Sequence, residues 1–296
     1  MDETAIRTVG LTKRYGNVEA LSSLDLEVCR GEVLGYLGPN GAGKTTTIRL
    51  LLNLAKPTAG RAEIFGLDTT HDAVAAHRHI AYVPGDVALW PSLTGAETLH
   101  LLGRLHGRVD DAYRDELIED FALDPSKKVR AYSKGNRQKV ALISAMMTRA
   151  DLLMLDEPTS GLDPLMEQVF RRHVIDARAR GQTVLLSSHI LSEAEAVCDR
   201  VAILRAGRLI ETRTLAEMRS LAAVTVEAIL AGPPPDLSNV PRVDAIEIVG
   251  NHVRCRVYGD MEPLLDALRA VGVVKLLSHE ASLEELFLAH YGAQTA

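Results

Sequence analysis

Hydrophobic and polar positions divide this chain into short segments of two periods. Residues 6–11 alternate weakly and predict an edge strand, and Leu24 to Val28 alternates apolar and acidic positions as a half-buried strand does. Val33 to Leu37 is an apolar run that leads directly into a glycine-rich stretch. Beyond it Ile48, Leu51, Leu52 and Ala55 recur at helical spacing until Pro57. Residues 88–150 carry mostly helical periodicity, with loops at Gly107-Arg108 and Asp124-Pro125. Leu152 to Asp156 is an apolar strand ending in acid. A helix follows over about Leu165 to Arg180 and stops at Gly181. Thr183 to Leu186 is another buried strand, after which Ser192 and Glu195 have capping-box spacing for a new helix.

Strands alternating with helices predict an α/β chain whose core is a mostly parallel sheet covered on both faces. The pattern changes near residue 220. Gly232-Pro233-Pro234-Pro235 marks a linker or turn, and Ala245–Val249 with His252–Tyr258 predicts a hairpin around Gly250-Asn251. Helical spacing returns over Glu262 to Val271 and Leu283 to Tyr291. The expected organisation is therefore one domain over residues 1–220, with a helical subdomain at about 88–150, and a small α+β domain over 221–296.

Composition narrows the picture. Hydrophobic residues make up 47% of the 296 positions, enough for a sizeable core. A net charge of −6 argues against nucleic acid as the main partner. The three cysteines form no CxxC pair, which points to buried, reduced thiols rather than zinc or a disulfide framework. The first residues lack a signal-peptide pattern, and no apolar run reaches the roughly 18 residues needed to cross a bilayer. If the protein serves a membrane, another chain must span it.

The chemistry begins at Gly38-Pro39-Asn40-Gly41-Ala42-Gly43-Lys44-Thr45-Thr46, a fit to GxxxxGK[ST] between a strand and a helix. A triphosphate is dense negative charge. A tight glycine loop surrounds it with backbone N–H groups, and the following helix adds its positive end. Lys44 supplies a full charge to the β- and γ-phosphates, and the Thr45 hydroxyl is a ligand for Mg²⁺. Asp156, at the end of an apolar strand, is placed to hold the same metal. Glu157 is placed to orient and deprotonate an attacking water. His189 stands just past the C-terminal end of a strand, where ligands of open α/β sheets gather.

Leu11-Thr12-Lys13-Arg14-Tyr15-Gly16, the loop 38–46, Tyr132-Ser133-Lys134-Gly135-Asn136-Arg137-Gln138, the strand 152–157, Ser160-Gly161-Leu162-Asp163 and Ser187-Ser188-His189 occur in the order of an ABC ATPase subunit. Over about residues 5–220 the chain resembles that family, and the resemblance implies a P-loop cassette fold. It implies that Tyr15 stacks on adenine and that Ser133, Lys134, Gly135 and Asn136 form a signature segment. In the family this segment closes over ATP held by the P-loop of a second cassette, with Ser133 and the Gly135 backbone on the γ-phosphate. Asp163 is then expected to communicate across the dimer, and His189 to contact the γ-phosphate. The implied cofactors are ATP and Mg²⁺. The implied partners are a second cassette and an integral-membrane permease, with the chain cytoplasmic and peripheral on the inner face of the membrane.

Two positions depart from the family. Its usual Leu-Ser-Gly-Gly-Gln signature is Tyr-Ser-Lys-Gly-Asn here, which keeps the serine and second glycine. In residues 81–86, Ala-Tyr-Val-Pro-Gly-Asp, Gly85 stands where most relatives carry the Gln that approaches Mg²⁺. Ser282-Leu283-Glu284-Glu285-Leu286-Phe287-Leu288 and the appended domain resemble ATPases of ABC-2-type exporters of drugs and antibiotics. Two alternatives stay open. An importer ATPase would differ chiefly in the tail, and a soluble ABC protein of translation or repair would carry paired cassettes or a coiled-coil insertion. A GTPase fits poorly, because no Asn-Lys-x-Asp motif follows the P-loop.

Overall fold

The computed structural model describes residues 3–220 and 223–280. The expected Leu283–Tyr291 helix and the Ser282–Leu288 segment lie outside them. The chain separates into two units, Met1–Thr212 and Arg213–Ala296.

The first unit is α/β and contains two sheets. The larger has six strands in the order Arg208–Thr214, Arg200–Arg205, Val33–Leu37, Thr183–Ser188, Leu152–Asp156, Ile80–Val83. The four pairings from Arg200–Arg205 through to Ile80–Val83 are parallel. Val33–Leu37, Leu152–Asp156 and Thr183–Ser188 are buried at every position. That is why they are continuous apolar runs instead of alternating ones: layers cover both faces. Parallel pairing also brings the C-terminal ends of these strands to one edge, so the residues after Leu37, Val83, Asp156 and Ser188 meet there.

The second sheet has five strands, with Thr4–Tyr15 joined to Val18–Leu24, Glu27–Cys29 and Ala59–Ile64, and Leu67–Asp68 beyond. The predicted edge strand at 6–11 is thus an interior strand. Its weak alternation reflects a twelve-residue strand with register shifts on several partners. The predicted strand at 24–28 is two strands broken at Asp25-Leu26, where the Asp25 carboxylate accepts the Gly10 N–H. One hydrophobic core joins the two sheets and includes Ile6, Leu24, Tyr36, Ile48, Ile64 and Met154.

Between residues 88 and 150 the helices are Gly95–His106, Asp111–Asp120 and Lys134–Met146. The first starts with a capping box between Thr94 and Glu97, and ends at Gly107 in the left-handed conformation. The helix Pro164–Ala179 opens at Asp163, whose carboxylate accepts the N–H groups of Leu165 and Met166. The capping box expected from Ser192 and Glu195 does not form. The helix is the five-residue Leu191–Glu195 with Ile190 at its N-cap, and Ser192 lies inside it. Cys198 and Cys255 are buried, but Cys29 is exposed, against expectation.

The second unit is an antiparallel sheet ordered Val243–Val249, His252–Tyr258, Ala223–Leu230, Val273–Glu280. The helix Glu262–Arg269 buries Leu264 and Leu268 in a core with Val226, Ala228, Val253 and Cys255. Among the described residues no helix is long and apolar enough to cross a membrane.

Candidate active site at the C-terminal edge of the parallel sheet

The loop after Leu37 runs into the helix Lys44–Leu51, whose N-cap is Gly43. Gly43 has φ 110°, a conformation that L side chains rarely adopt. No side chain caps this helix, so its first N–H groups stay turned to the loop. Residues 40–46, Ala20 and Glu157 line one cavity of about 150 Å³. The strand feeding the loop is held by a buried bond between the Tyr36 hydroxyl and Thr47 Oγ1 at 2.9 Å.

Lys44 folds back over the loop and is only 5% exposed. Its Nζ donates to the carbonyls of Gly38 at 2.6 Å and Pro39 at 3.3 Å, and stands 3.7 Å from Glu157 Oε1. Burial pushes the Lys44 ammonium below its ordinary value, while the Glu157 and Asp156 carboxylates pull it back up. Glu157 Oε1 also lies 3.1 Å from His189 Nδ1. Lys44, Glu157 and His189, from three separate strand ends, therefore meet.

Register explains the neighbouring contacts. Asp156 pairs with Ser187 across two parallel strands. The buried Ser187 hydroxyl donates to Asp156 Oδ1 at 2.5 Å. The same Oγ, at 3.2 Å, and the Ser187 carbonyl, at 3.1 Å, accept the Glu157 N–H. Glu157 has φ 47°, a left-handed backbone costing roughly 1–3 kcal/mol outside glycine, and Ser187 helps hold it there. Neither Ser187 nor Ser188 drew a chemical role from the sequence beyond its place beside His189. Hydroxyls at a strand's C-terminal end, opposite an acid, were the available signal.

Asp156 Oδ2 takes no hydrogen bond from the described residues and faces Gly85, where an added Cβ would lie 3.7 Å from it. This oxygen and the Thr45 hydroxyl are hard donors of the kind magnesium takes. Among the described residues no cluster of three His, Cys, Asp or Glu could hold a metal. The donor set therefore fits an ion whose remaining ligands are phosphate and water.

Other residues singled out in the sequence lie apart from the Lys44 cavity. Tyr15 is 47% exposed, with the Lys13 ammonium 4.8 Å from its ring centre. Ser133 caps the helix Lys134–Met146 by accepting the Asn136 N–H. Ser133, Lys134, Gly135 and Asn136 do not line the cavity. Their segment is bound to the loop after Glu157 instead. Lys134 Nζ donates to Ser160 Oγ at 2.8 Å, and Gln138 Nε2 to the Pro158 carbonyl at 2.8 Å. At Gly135 a Cβ would stand 2.3 Å from the Gly161 carbonyl oxygen, so only glycine allows this approach.

Comparison with known proteins gives the arrangement a context. The ABC transporter family model matches residues 21–160. A daunorubicin resistance ATP-binding protein of Streptomyces coeruleorubidus is 43% identical over 225 residues, 74% of this chain and 71% of that protein. A Nod factor export ATP-binding protein of Rhizobium etli is 34% identical over 300 residues, 98% of this chain and 94% of that one. The solved ATP binding subunit of an ABC transporter superposes with a TM-score of 0.68 at 33% identity, covering 73% of this chain and 92% of that subunit. A dimeric ATP-binding cassette bound to ADP and Pi, at 23% identity and a TM-score of 0.61, shares the fold.

Proposed function

This chain belongs to the ABC transporter family as one of its ATP-binding, ATP-hydrolysing subunits, and from that membership we propose that it powers a separate membrane permease exporting a drug, antibiotic or other hydrophobic compound. The observation that carries the ATPase part is the convergence of Lys44, Glu157 and His189, with Glu157 Oε1 3.7 Å from one and 3.1 Å from the other.

In this reading the loop 38–46 cradles the phosphates through its N–H groups, and Lys44 gives up its carbonyl contacts to meet the β- and γ-phosphates. Asp156 and Thr45 hold magnesium, which when bound neutralises phosphate charge. Glu157 orients and deprotonates the attacking water, and His189 steadies Glu157 and the γ-phosphate. Tyr15 stacks on the adenine. Ser133 and Gly135, with Lys134 and Asn136 beside them, serve the nucleotide of a second cassette, and Asp163 carries the signal between the two. Gly85 offers no side chain to a metal, and Asp156 and Thr45 are the residues that would hold it. The export assignment draws on the relatives: one is named for daunorubicin resistance, one for Nod factor export and one, from Bacillus licheniformis, for bacitracin transport. Residues 221–296 form an accessory domain in this scheme.

The test is a pair of variants. Glu157→Gln keeps ATP binding, loses turnover and accumulates ATP-bound dimers on size exclusion. Turnover within about three-fold of the unmodified protein removes Glu157 as the base. Lys44→Ala loses charge-assisted phosphate contacts worth about 1.5–3 kcal/mol each. Unchanged ATP affinity by titration would refute the P-loop assignment. Copurification with a polytopic membrane protein checks the permease.

A further inference from the structure

Glu193 is a buried acid that the scheme above does not use. It lies on the short helix after His189 and is 9% exposed. Burying a carboxylate is costly unless its oxygens are hydrogen-bonded. Here both are, and by two different functional segments. Oε1 accepts the Thr159 hydroxyl at 2.5 Å, and Oε2 accepts the Ser188 hydroxyl at 2.5 Å. Thr159 and Ser188 are themselves buried, so water does not compete for these bonds.

The two hydroxyls belong to the segments that must act together. Thr159 stands two residues after Glu157, in the loop ending at Asp163. It is knitted into that loop, since the Leu162 N–H donates to its carbonyl at 2.9 Å. Ser188 directly precedes His189, and its Oγ accepts the Ile190 N–H at 2.9 Å, bracketing the histidine. Beside the cavity the two segments are linked by the Ser187 hydroxyl, which accepts the Glu157 N–H, and by the exposed His189–Glu157 contact. Glu193 differs from these in bonding both segments from a buried position, one oxygen to each. An apolar side chain of similar size would fill the same space without joining anything.

We propose that Glu193 is a positioning residue for ATP hydrolysis: a buried clip holding Thr159 to Ser188, so that the loop 157–163 and the segment bearing His189 move as one body. The clip keeps Glu157 and His189 in alignment, and ties that alignment to the loop on which Lys134 and Gln138 are anchored. The proposal rests on the ATPase reading given above.

Reach, not charge, is what the clip requires. Glu193→Asp keeps the charge but is one methylene too short to touch both hydroxyls. Glu193→Gln keeps the reach: its carbonyl accepts from Thr159 and its amide donates to Ser188 Oγ, whose proton turns to the Ile190 carbonyl 3.2 Å away. Glu193→Asp is expected to lower kcat at least about ten-fold with KM for ATP and titrated ATP affinity within about three-fold, whereas Glu193→Gln stays within about three-fold of the unmodified kcat. In a His189→Ala background Glu193→Asp should cost less than about three-fold, because the alignment it protects is already gone. If Glu193→Asp does not fold, Thr159→Val carries the same kinetic expectation. Three results overturn the clip: near-normal kcat for Glu193→Asp, ATP affinity falling in step with kcat, or a fully multiplicative double variant. Lys44→Ala runs alongside. If it leaves ATP binding intact the ATPase reading fails; if it abolishes binding while Glu193→Asp is silent, only the clip fails.

Discussion

Replacing Ser187 with alanine removes one oxygen that serves both candidate acids. In the folded protein this hydroxyl donates to Asp156 Oδ1 at 2.5 Å, and Asp156 is 2% exposed, so water cannot take its place. A hydrogen bond to a charged group contributes about 1.5–3 kcal/mol. The Glu157 N–H is less affected, because it keeps the Ser187 carbonyl at 3.1 Å. The expected loss of stability is therefore about 2 kcal/mol, and for a unit of this size that lowers Tm by about 4–8 °C. Catalysis should suffer more than binding. A carboxylate displaced by about 1 Å can cost about 100-fold, so kcat should fall by roughly ten- to 100-fold with ATP affinity held. Thermal unfolding by circular dichroism and steady-state phosphate release read the two effects separately. A Tm within about 1 °C of the unmodified protein, with normal turnover, would show that Ser187 does not hold Asp156.

Gly135→Ala forces a methyl group to within 2.3 Å of the Gly161 carbonyl and so displaces the start of the Lys134–Met146 helix. ATP-driven dimerisation in the Glu157→Gln background should be lost while a single chain's ATP affinity is unchanged, as checked by light scattering and titration. His173 offers a pH test. Burial depresses its imidazole from the usual 6.5, with the Asp120 carboxylate pulling the other way. Its Nε2 lies 2.9 Å from Asp120, and its Nδ1 3.1 Å from the Tyr113 hydroxyl. The folded chain thus keeps His173 neutral at a pH where the unfolded chain takes up a proton. Stability falls as pH drops through 6.5 towards the folded value, and His173→Gln should flatten that slope in urea unfolding. An unaltered slope would place the acid sensitivity elsewhere.

Much of this protein is local, and local order is legible in a sequence. The glycine loop needs particular residue types at fixed spacing between a strand and a helix, so residues 38–46 announce a phosphate site unaided. Strands covered on both faces must be apolar throughout, so Val33–Leu37, Leu152–Asp156 and Thr183–Ser188 stand out as buried strands. The first sheet was harder to see. Thr4–Tyr15 pairs with three strands through shifted registers, which blurs a period-2 pattern. The sequence drew no role for Glu193, for a related reason. Ser192 and Glu195 match a helix-start pattern by spacing, yet the inward turn of Glu193 towards Thr159 decides how that segment is anchored. The sequence alone singled out the candidates for the chemistry, Lys44, Asp156, Glu157 and His189. Only the tertiary structure decided that Ser187 holds Asp156 and that Glu193 joins two loops, because both contacts depend on how separate strands align, and the alignment of distant strands is set by the packing of the whole core.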